Sequence, residues 1–238
     1  PKSMKVSIIV PVYNEKKTVR QILGRVFFAK LPAGMTCEVI VVNDASADGT
    51  DKQLAKIKRK FKLFTHRQNQ GKGAAILTSL SKSTGDLILI QDADLEYDPN
   101  DYFKLLTPFK NKDVQVVYGS RLINYPLRLL GKHKTPMPIH LVANKFLTFL
   151  TNCLYGSSIT DMETGYKVID RKLMISLGLT ANRFDFEPEI TAKILKKGVK
   201  IIEIPIKVKP RSYSEGKKIG WRDGLIAIWT LIKYRFVN

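Results

Sequence analysis

Most of the features that would take a chain out of the ordinary globular classes are missing here. The 238 residues hold two cysteines, Cys37 and Cys153, each in an apolar context with no CxxC spacing. A disulfide-stapled scaffold is therefore not expected, and free thiols in a reducing compartment are. The three histidines, His66, His133 and His140, show no metal-ligand spacing and are not expected to do chemistry. No apolar run approaches the ~20 residues of a membrane span; the nearest is the nine-residue GLIAIWTLI at 224–232. The first apolar run, Val6–Val12, is short and broken by Pro11, so it does not read as a signal peptide. There is no internal repeat, no low-complexity tract and no evident linker, which leaves a single domain over 1–238. Acid is also scarce. Against 40 Lys and Arg stand 21 Asp and Glu, a formal charge of +19. That imbalance speaks of partners (nucleic acid, an anionic membrane surface or a phosphorylated ligand) and says nothing of fold.

What is present is a repeated strand-then-helix pattern. Short apolar runs recur at KVSIIVPV (5–12), CEVIVVND (37–44), KLFTHR (62–67), DLILIQDAD (86–94) and VQVVYGSR (114–121), with helical patterns between them. Continuous apolar strands alternating with helices predict an α/β domain with a mostly parallel central sheet covered on both faces. In such sheets ligands bind at the carboxyl ends of the strands, where Tyr13, Asp44, Asp92 and Arg121 all fall. The chain divides into a half at about 5–121 and a more irregular half at about 122–238. The second half carries apolar helical stretches at 139–155 and 219–236, and an edge-strand candidate with Pro205 at 199–210. In the last helix Trp221, Leu225, Ile228, Trp229 and Ile232 share one face.

The chemistry is concentrated in LILIQDADLEYDP (87–99). An apolar run ends at Gln91, and Asp92, Asp94, Glu96 and Asp98 follow. In extended backbone Asp92 and Asp94 point to the same side, and Glu96 joins them if the extension persists. Oxygen ligands so spaced suit Mg²⁺ or Mn²⁺, which complete their shells with substrate phosphates. The alternative is a solvated turn in which Asp98-Pro99 caps the next helix. Gly71-Lys72-Gly73 opens a helix, a natural anion site if it is not a plain glycine turn.

With VPVYNE, VVNDASADGT, NQGKGAA, DADLEYDP, GSR, DMETGYK and RSYSEGKKIG in that order, the chain resembles the inverting family-2 glycosyltransferases of GT-A fold. The branch it resembles makes polyprenyl-phosphate sugars, as dolichyl-phosphate mannose and glucose synthases do. That resemblance implies transfer of a hexose from GDP-mannose or UDP-glucose to a polyprenyl phosphate, with Mg²⁺ or Mn²⁺, at the cytoplasmic face of a membrane. It implies that Pro11, Tyr13 and Glu15 line the nucleotide pocket, with Asp44 near the base or ribose. Asp92 would hold the ribose side, and Asp94 and Glu96 the metal. Many relatives carry Gln where Glu96 stands. Arg211, Lys217 and Lys218 in the late basic loop would reach the donor phosphates.

A phosphate acceptor is mostly dianionic at neutral pH and needs cationic positioning rather than a base. Arg121 and Arg128 are the candidates, since Arg grips phosphate bidentately, although an Arg paired with a nearby carboxylate is equally ordinary. Asp161 is the first candidate should a base be used, with Glu163 and Glu187 behind it. The apolar helices and the +19 charge favour peripheral contact with an anionic membrane; core or dimer packing would use the same helices, and a homo-oligomer is left open. One rival is a soluble family-2 enzyme acting on a glycan or other hydroxyl acceptor. Another is a basic nucleic-acid-binding module, disfavoured because no aromatics interleave with Lys and Arg. A nucleotidyltransferase would want a Gly-rich phosphate loop early in the chain, and VPVYNE is not one.

Overall fold

A computed structural model describes residues 3–123, 138–209 and 221–237. Seven strands form one sheet: β1 (Met4–Val12), β2 (Met35–Asn43), β3 (Lys62–Thr65), β4 (Leu87–Ile90), β5 (Val116–Ser120), β6 (Lys167–Asp170) and β7 (Ile201–Pro205). Their order is β3-β2-β1-β4-β6-β5-β7. Pairing is parallel for β1 with β2 and β4, for β2 with β3, and for β5 with β7; β6 runs antiparallel to both its neighbours. Six strands therefore share one carboxyl edge. The edge position of β7 agrees with its proline.

The near-continuous apolar strands are explained by burial on both faces. Along β1, Val6, Ile8, Val10 and Val12 enter one core with α1 (Val19–Phe28) and α4 (Tyr102–Leu106). Ile9, with Ile40, Ile88 and Ile90, enters the other. That second core is covered by α3 (Lys72–Lys82), α6 (Arg171–Ser176) and α7 (Phe186–Lys196). The short helix α2 (Thr50–Ala55) follows β2. A third apolar cluster joins α5 (Pro138–Tyr155) and α8 (Trp221–Phe236) to α7 through Leu147, Ala192, Ala227, Leu231 and Tyr234. The Tyr155 hydroxyl donates to the Leu231 carbonyl at 2.7 Å, fixing α5 to α8.

The two halves expected from sequence are interleaved. β6, from the second half, lies between β4 and β5, so the strand carrying the acidic turn is buttressed by the residues that directly follow the DMETGYK segment. The order of connection reverses between β1 and β4, and the crevice for a ligand lies beyond the carboxyl ends of that pair.

The glycines flanking Lys72 have a packing reason. A Cβ on Gly73 would lie 2.2 Å from the Ala181 carbonyl oxygen, and one on Gly71, which also has φ +101, 2.3 Å from that of Asn182. Gly73→Ala should therefore cost about 1–3 kcal/mol through backbone displacement. A denaturant midpoint unchanged from wild type would show that the α3 contact is looser than described.

Candidate active site

A cleft of about 880 Å³ opens at the carboxyl edge. It brings together the sequence-predicted Pro11, Tyr13, Glu15, Asp44, Lys72, Asp92, Asp94, Glu96 and Arg121. Arg128, Arg211 and Lys217, with Lys218, lie outside the described residues. Asp161 adjoins the cleft through Arg121 rather than lining it.

Each acid at a strand end is held by specific partners. Asp44, 2% exposed, follows β2. It accepts from the backbone N–H groups of Gln70 (2.9 Å) and Gly71 (2.8 Å) and from the Asn69 side chain (2.9 Å), and contacts His66 Nδ1 at 2.7 Å. One anion received in front of α3, by the amides of Gln70 and Gly71, is thus the protein's own Asp44. His66, expected to be idle, braces Asp44. Glu15 lies in the turn that leads into α1: its backbone carbonyl accepts from Val19 at 2.9 Å, and its carboxylate accepts from the Thr18 hydroxyl at 2.6 Å.

The acidic turn does not stay extended. Leu95 has φ +68, and the Glu96 N–H donates to Asp94 Oδ1 at 3.0 Å, so Glu96 enters the cleft through a turn rather than by strand alternation. Gln91 anchors the start of the turn from below. It is fully buried, its side-chain oxygen accepts from the hydroxyls of Tyr102 and Tyr166 at 2.7 Å each, and its Nε2 donates to the Asp92 carbonyl at 2.8 Å. Asp98 caps the following turn by accepting from the Asn100 N–H, the capping that belonged to the alternative reading of this acidic stretch. Downstream of β7, the Lys209 N–H donates to the Glu96 carbonyl at 3.0 Å, tying the approach to the basic loop to this turn.

Asp92 faces Lys72, with Nζ 2.8 Å from Oδ1. Lys72 also contacts Glu187 at 3.1 Å, and the other oxygen of Glu187 meets the buried Lys167. Burial alone would push Glu187 up, but Lys167 and Lys72 hold it below the usual carboxylate range. Gly165 completes this corner, since a Cβ there would lie 2.4 Å from Asp92 Oδ2.

At the end of β5, Asp161 is fully buried. Its Oδ2 accepts from Arg121 Nε at 2.7 Å and its Oδ1 from Nη2 at 2.7 Å. Glu203 on β7 accepts from the N–H groups of Thr160 and Asp161 at 2.8 and 3.0 Å, and so holds that loop. Glu163 differs from these acids. Its Oε1 is buried and has no hydrogen-bond partner among the described residues. Burial first, then the Glu187 charge, pushes its carboxyl up to about 7, against the pull of Lys167 and Arg121.

Among the described residues no three His, Cys, Asp or Glu converge as a metal cluster. Asp94 and Glu96 do line one wall of the cleft. One or two carboxylates completed by substrate phosphates is the donor set Mg²⁺ ordinarily takes, so these residues fit a divalent ion that arrives with a nucleotide.

α5 and α8 add a mixed lining to the cleft: Phe146, Leu147, Leu225 and Ile228 beside His140, Asn144 and Asp223. The outer surface of both helices carries an apolar patch, with Phe149 65%, Leu225 57% and Trp229 66% exposed. The α8 face expected from sequence to be apolar thus includes its outer face, while Ala227, Leu231 and Tyr234 pack inward. Among the described residues no helix is long and apolar enough to cross a membrane.

Residues 7–178 match glycosyl transferase family 2. The chain belongs to that family. It is 28% identical over 228 residues to the UDP-N-acetylglucosamine–dolichyl-phosphate N-acetylglucosaminyltransferase of Methanococcus voltae, covering 87% of this chain and 86% of the relative. It is 26% identical over 224 residues to a dolichol-phosphate mannosyltransferase of Pyrococcus furiosus, covering 91% of this chain but 60% of that protein. Among solved structures, glucosyl-3-phosphoglycerate synthase from Mycobacterium tuberculosis with Mn²⁺, UDP-glucose and phosphoglyceric acid superposes with TM-score 0.71. That match covers 99% of this chain and 81% of the other at 18% identity, a likeness of fold. The family-2 membership and the GT-A fold agree with the sequence reading.

The raised Glu163 carboxyl has a signed consequence. Its folded value of about 7 lies above the ordinary 4.5, so the folded state holds this proton more tightly than the unfolded chain does. Relative to Glu163→Gln, the wild type loses stability as pH rises from about 4.5 to about 7, by about 3 kcal/mol at most. Denaturation of both proteins at pH 4.5 and 8 measures this; a stability difference independent of pH would show that Glu163 is solvated or paired.

Proposed function

We propose that this family-2 glycosyltransferase moves a hexose from a nucleoside diphosphate sugar to a polyprenyl phosphate at a membrane surface. The observation that carries the reading is the mixed lining of the cleft, in which the acids and Arg121 are joined by Phe146, Leu147, Leu225 and Ile228. A phosphate on an isoprenoid chain has the same two natures. A glycan acceptor would leave those apolar residues without a role. The names of the curated relatives support the acceptor class, and the exposed apolar faces of α5 and α8, with a net charge of +19, support docking on an anionic bilayer.

In this reading Pro11, Tyr13, Glu15 and Asp44 receive the nucleotide, with Asp92 at its ribose side, and Asp94 and Glu96 hold the divalent ion. When bound, that ion neutralises the charge growing on the diphosphate leaving group. An oxygen of the acceptor phosphate attacks the anomeric carbon as the bond from that carbon to the diphosphate oxygen breaks, with inversion. The attacking oxygen carries no proton to remove, because the second pKa of a phosphate monoester is about 6. Arg121 orients the acceptor phosphate. A guanidinium has five N–H donors, and the side-chain bonds to Asp161 use those on Nε and Nη2. Asp161 then serves as the anchor of Arg121, since both its oxygens are already engaged. Arg128, Arg211 and Lys217 belong to the same proposal as further phosphate ligands.

One observation favours a second reading. A carboxyl poised at about 7 in the cleft, Glu163, is suited to general-base catalysis toward a hydroxyl acceptor.

Transfer from GDP-mannose, UDP-glucose and UDP-N-acetylglucosamine to polyprenyl phosphate, with and without Mn²⁺, tests the first reading; label should enter the organic phase from one donor. Glu163→Gln should keep transfer to a phosphate acceptor within about tenfold, whereas a base role would cost on the order of 10²–10⁴. No transfer to lipid, together with Glu163-dependent transfer to a sugar hydroxyl, would establish the second reading. Asp94→Ala should abolish transfer without changing the fold, and near-normal turnover would remove Asp94 from the metal site. Leu225→Glu with Trp229→Glu should raise KM for vesicle-borne polyprenyl phosphate at least tenfold and leave KM for the donor unchanged, on the ~2 kcal/mol attached to burying such side chains. Equal effects on both KM values would take the patch out of acceptor binding.

A further inference from the structure

Four charges of alternating sign run from the acidic turn into the interior. Asp92 follows β4, Lys72 opens α3, Glu187 lies in the first turn of α7, and Lys167 begins β6. The contacts are Asp92 to Lys72 at 2.8 Å, Lys72 to Glu187 at 3.1 Å, and Glu187 to Lys167. Lys167 is fully buried, donates to the carbonyl oxygens of Met162 and Thr164, and lies 4.7 Å from the centre of the Tyr118 ring. It is fixed, and so is the carboxylate it holds. Asp92, Lys72 and Glu187 all line the cleft, and Lys72 is the cation among them, with its side chain 19% exposed beside an Asp92 side chain 18% exposed. Gly71 and Gly73, both pressed against the 181–182 backbone, leave the start of α3 little room to carry Lys72 away. The sequence leaves this stretch as either an anion site or a plain glycine turn, and the amides of Gln70 and Gly71 are bonded to Asp44. The role of the lysine side chain is a separate question.

We propose that Lys72 is a built-in counter-cation for Asp92, which keeps the acidic turn from binding a divalent ion on its own and makes the ion enter together with the nucleotide diphosphate. This inference rests on the metal-assisted reading above and deepens it. With Asp92 neutralised, Asp94 and Glu96 are the carboxylates left to the ion, and the nucleotide must supply the remaining anionic oxygens. The positive charge of Lys72 further disfavours a free dication in this turn, by a Coulomb effect that falls only as the inverse of distance. Glu187 keeps Lys72 charged and in place from behind, so it acts as a positioning residue.

The test reads metal binding rather than turnover. Mn²⁺ is titrated against the whole protein by electron paramagnetic resonance, alone and with saturating UDP or GDP. For wild type, binding should be at least about tenfold tighter with the preferred nucleotide than without. Lys72→Met should tighten nucleotide-free Mn²⁺ binding by about tenfold, in the range expected for removing one charge within several ångströms of a dication. Lys72→Arg, which keeps the charge, should bind Mn²⁺ as wild type does. If Lys72→Met does not fold, the wild-type titrations and Lys72→Gln decide the matter. Equally tight Mn²⁺ binding with and without nucleotide, or nucleotide-free affinity unchanged or weakened in the neutral variant, would overturn the proposal and leave the metal-assisted reading standing. No Mn²⁺ binding even with nucleotide would overturn both.

Discussion

The ion pair between Lys72 and Asp92 is the contact on which the rest of the site depends. Parallel strands deliver polar residues to one edge of the sheet, and in this chain those residues are mainly acids. Carboxylates gathered at the mouth of an apolar interior repel one another and lose hydration, a cost that grows steeply with burial. Three separate devices meet it. Asp44 is surrounded by backbone and side-chain donors, Asp161 is clasped by Arg121, and Asp92 is neutralised by Lys72. Lys72 is the one that links two elements of the acidic corner, because it also holds Glu187 and through it the buried Lys167. The position of Asp92, and with it the start of the turn carrying Asp94 and Glu96, follows from that bridge.

Much of this fold is legible in the sequence, and the parts that are not have physical reasons. The five strands of the first half are read directly, because burial on both faces makes them unbroken apolar runs. β6 is not. It has four residues, KVID, begins with a lysine and ends with an aspartate, so neither length nor pattern marks it. Its lysine lies inside the protein only because Glu187, about one helix away in sequence, arrives to neutralise it. Glu187 itself sits in FEPE, where two acids beside a proline look like an exposed first turn of a helix; both Glu187 and Glu189 are buried. Local pattern cannot show a charge buried by a distant partner.

The candidate site divides along the same line. The acids at the strand ends were visible from residue type and position, and the cleft collects them. Their partners were not visible: His66, Asn69 and the amides at 70–71 around Asp44, or the clasp of Asp161 on Arg121. The turn at Leu95 was hidden too, since a left-handed leucine has no sequence signature. α8 shows the opposite case. Its apolar positions were clear, but a helix apolar around much of its circumference does not say which side packs. Contact with α5 and α7 takes Ala227, Leu231 and Tyr234, and Leu225 and Trp229 remain outside. In the function proposed above, the acids of the cleft serve the donor and the apolar residues of α5 and α8 the lipid of the acceptor.

The central claim is that the turn at 92–96 meets a nucleotide diphosphate through a divalent ion. The most direct measurement is anomalous diffraction at the manganese edge from crystals soaked with Mn²⁺ and UDP or GDP. A peak between the carboxylates of Asp94 and Glu96 and the diphosphate, with Asp92 still on Lys72, is the predicted result. A nucleotide bound in the cleft with no anomalous peak at that turn, or a peak elsewhere in the protein, would contradict it.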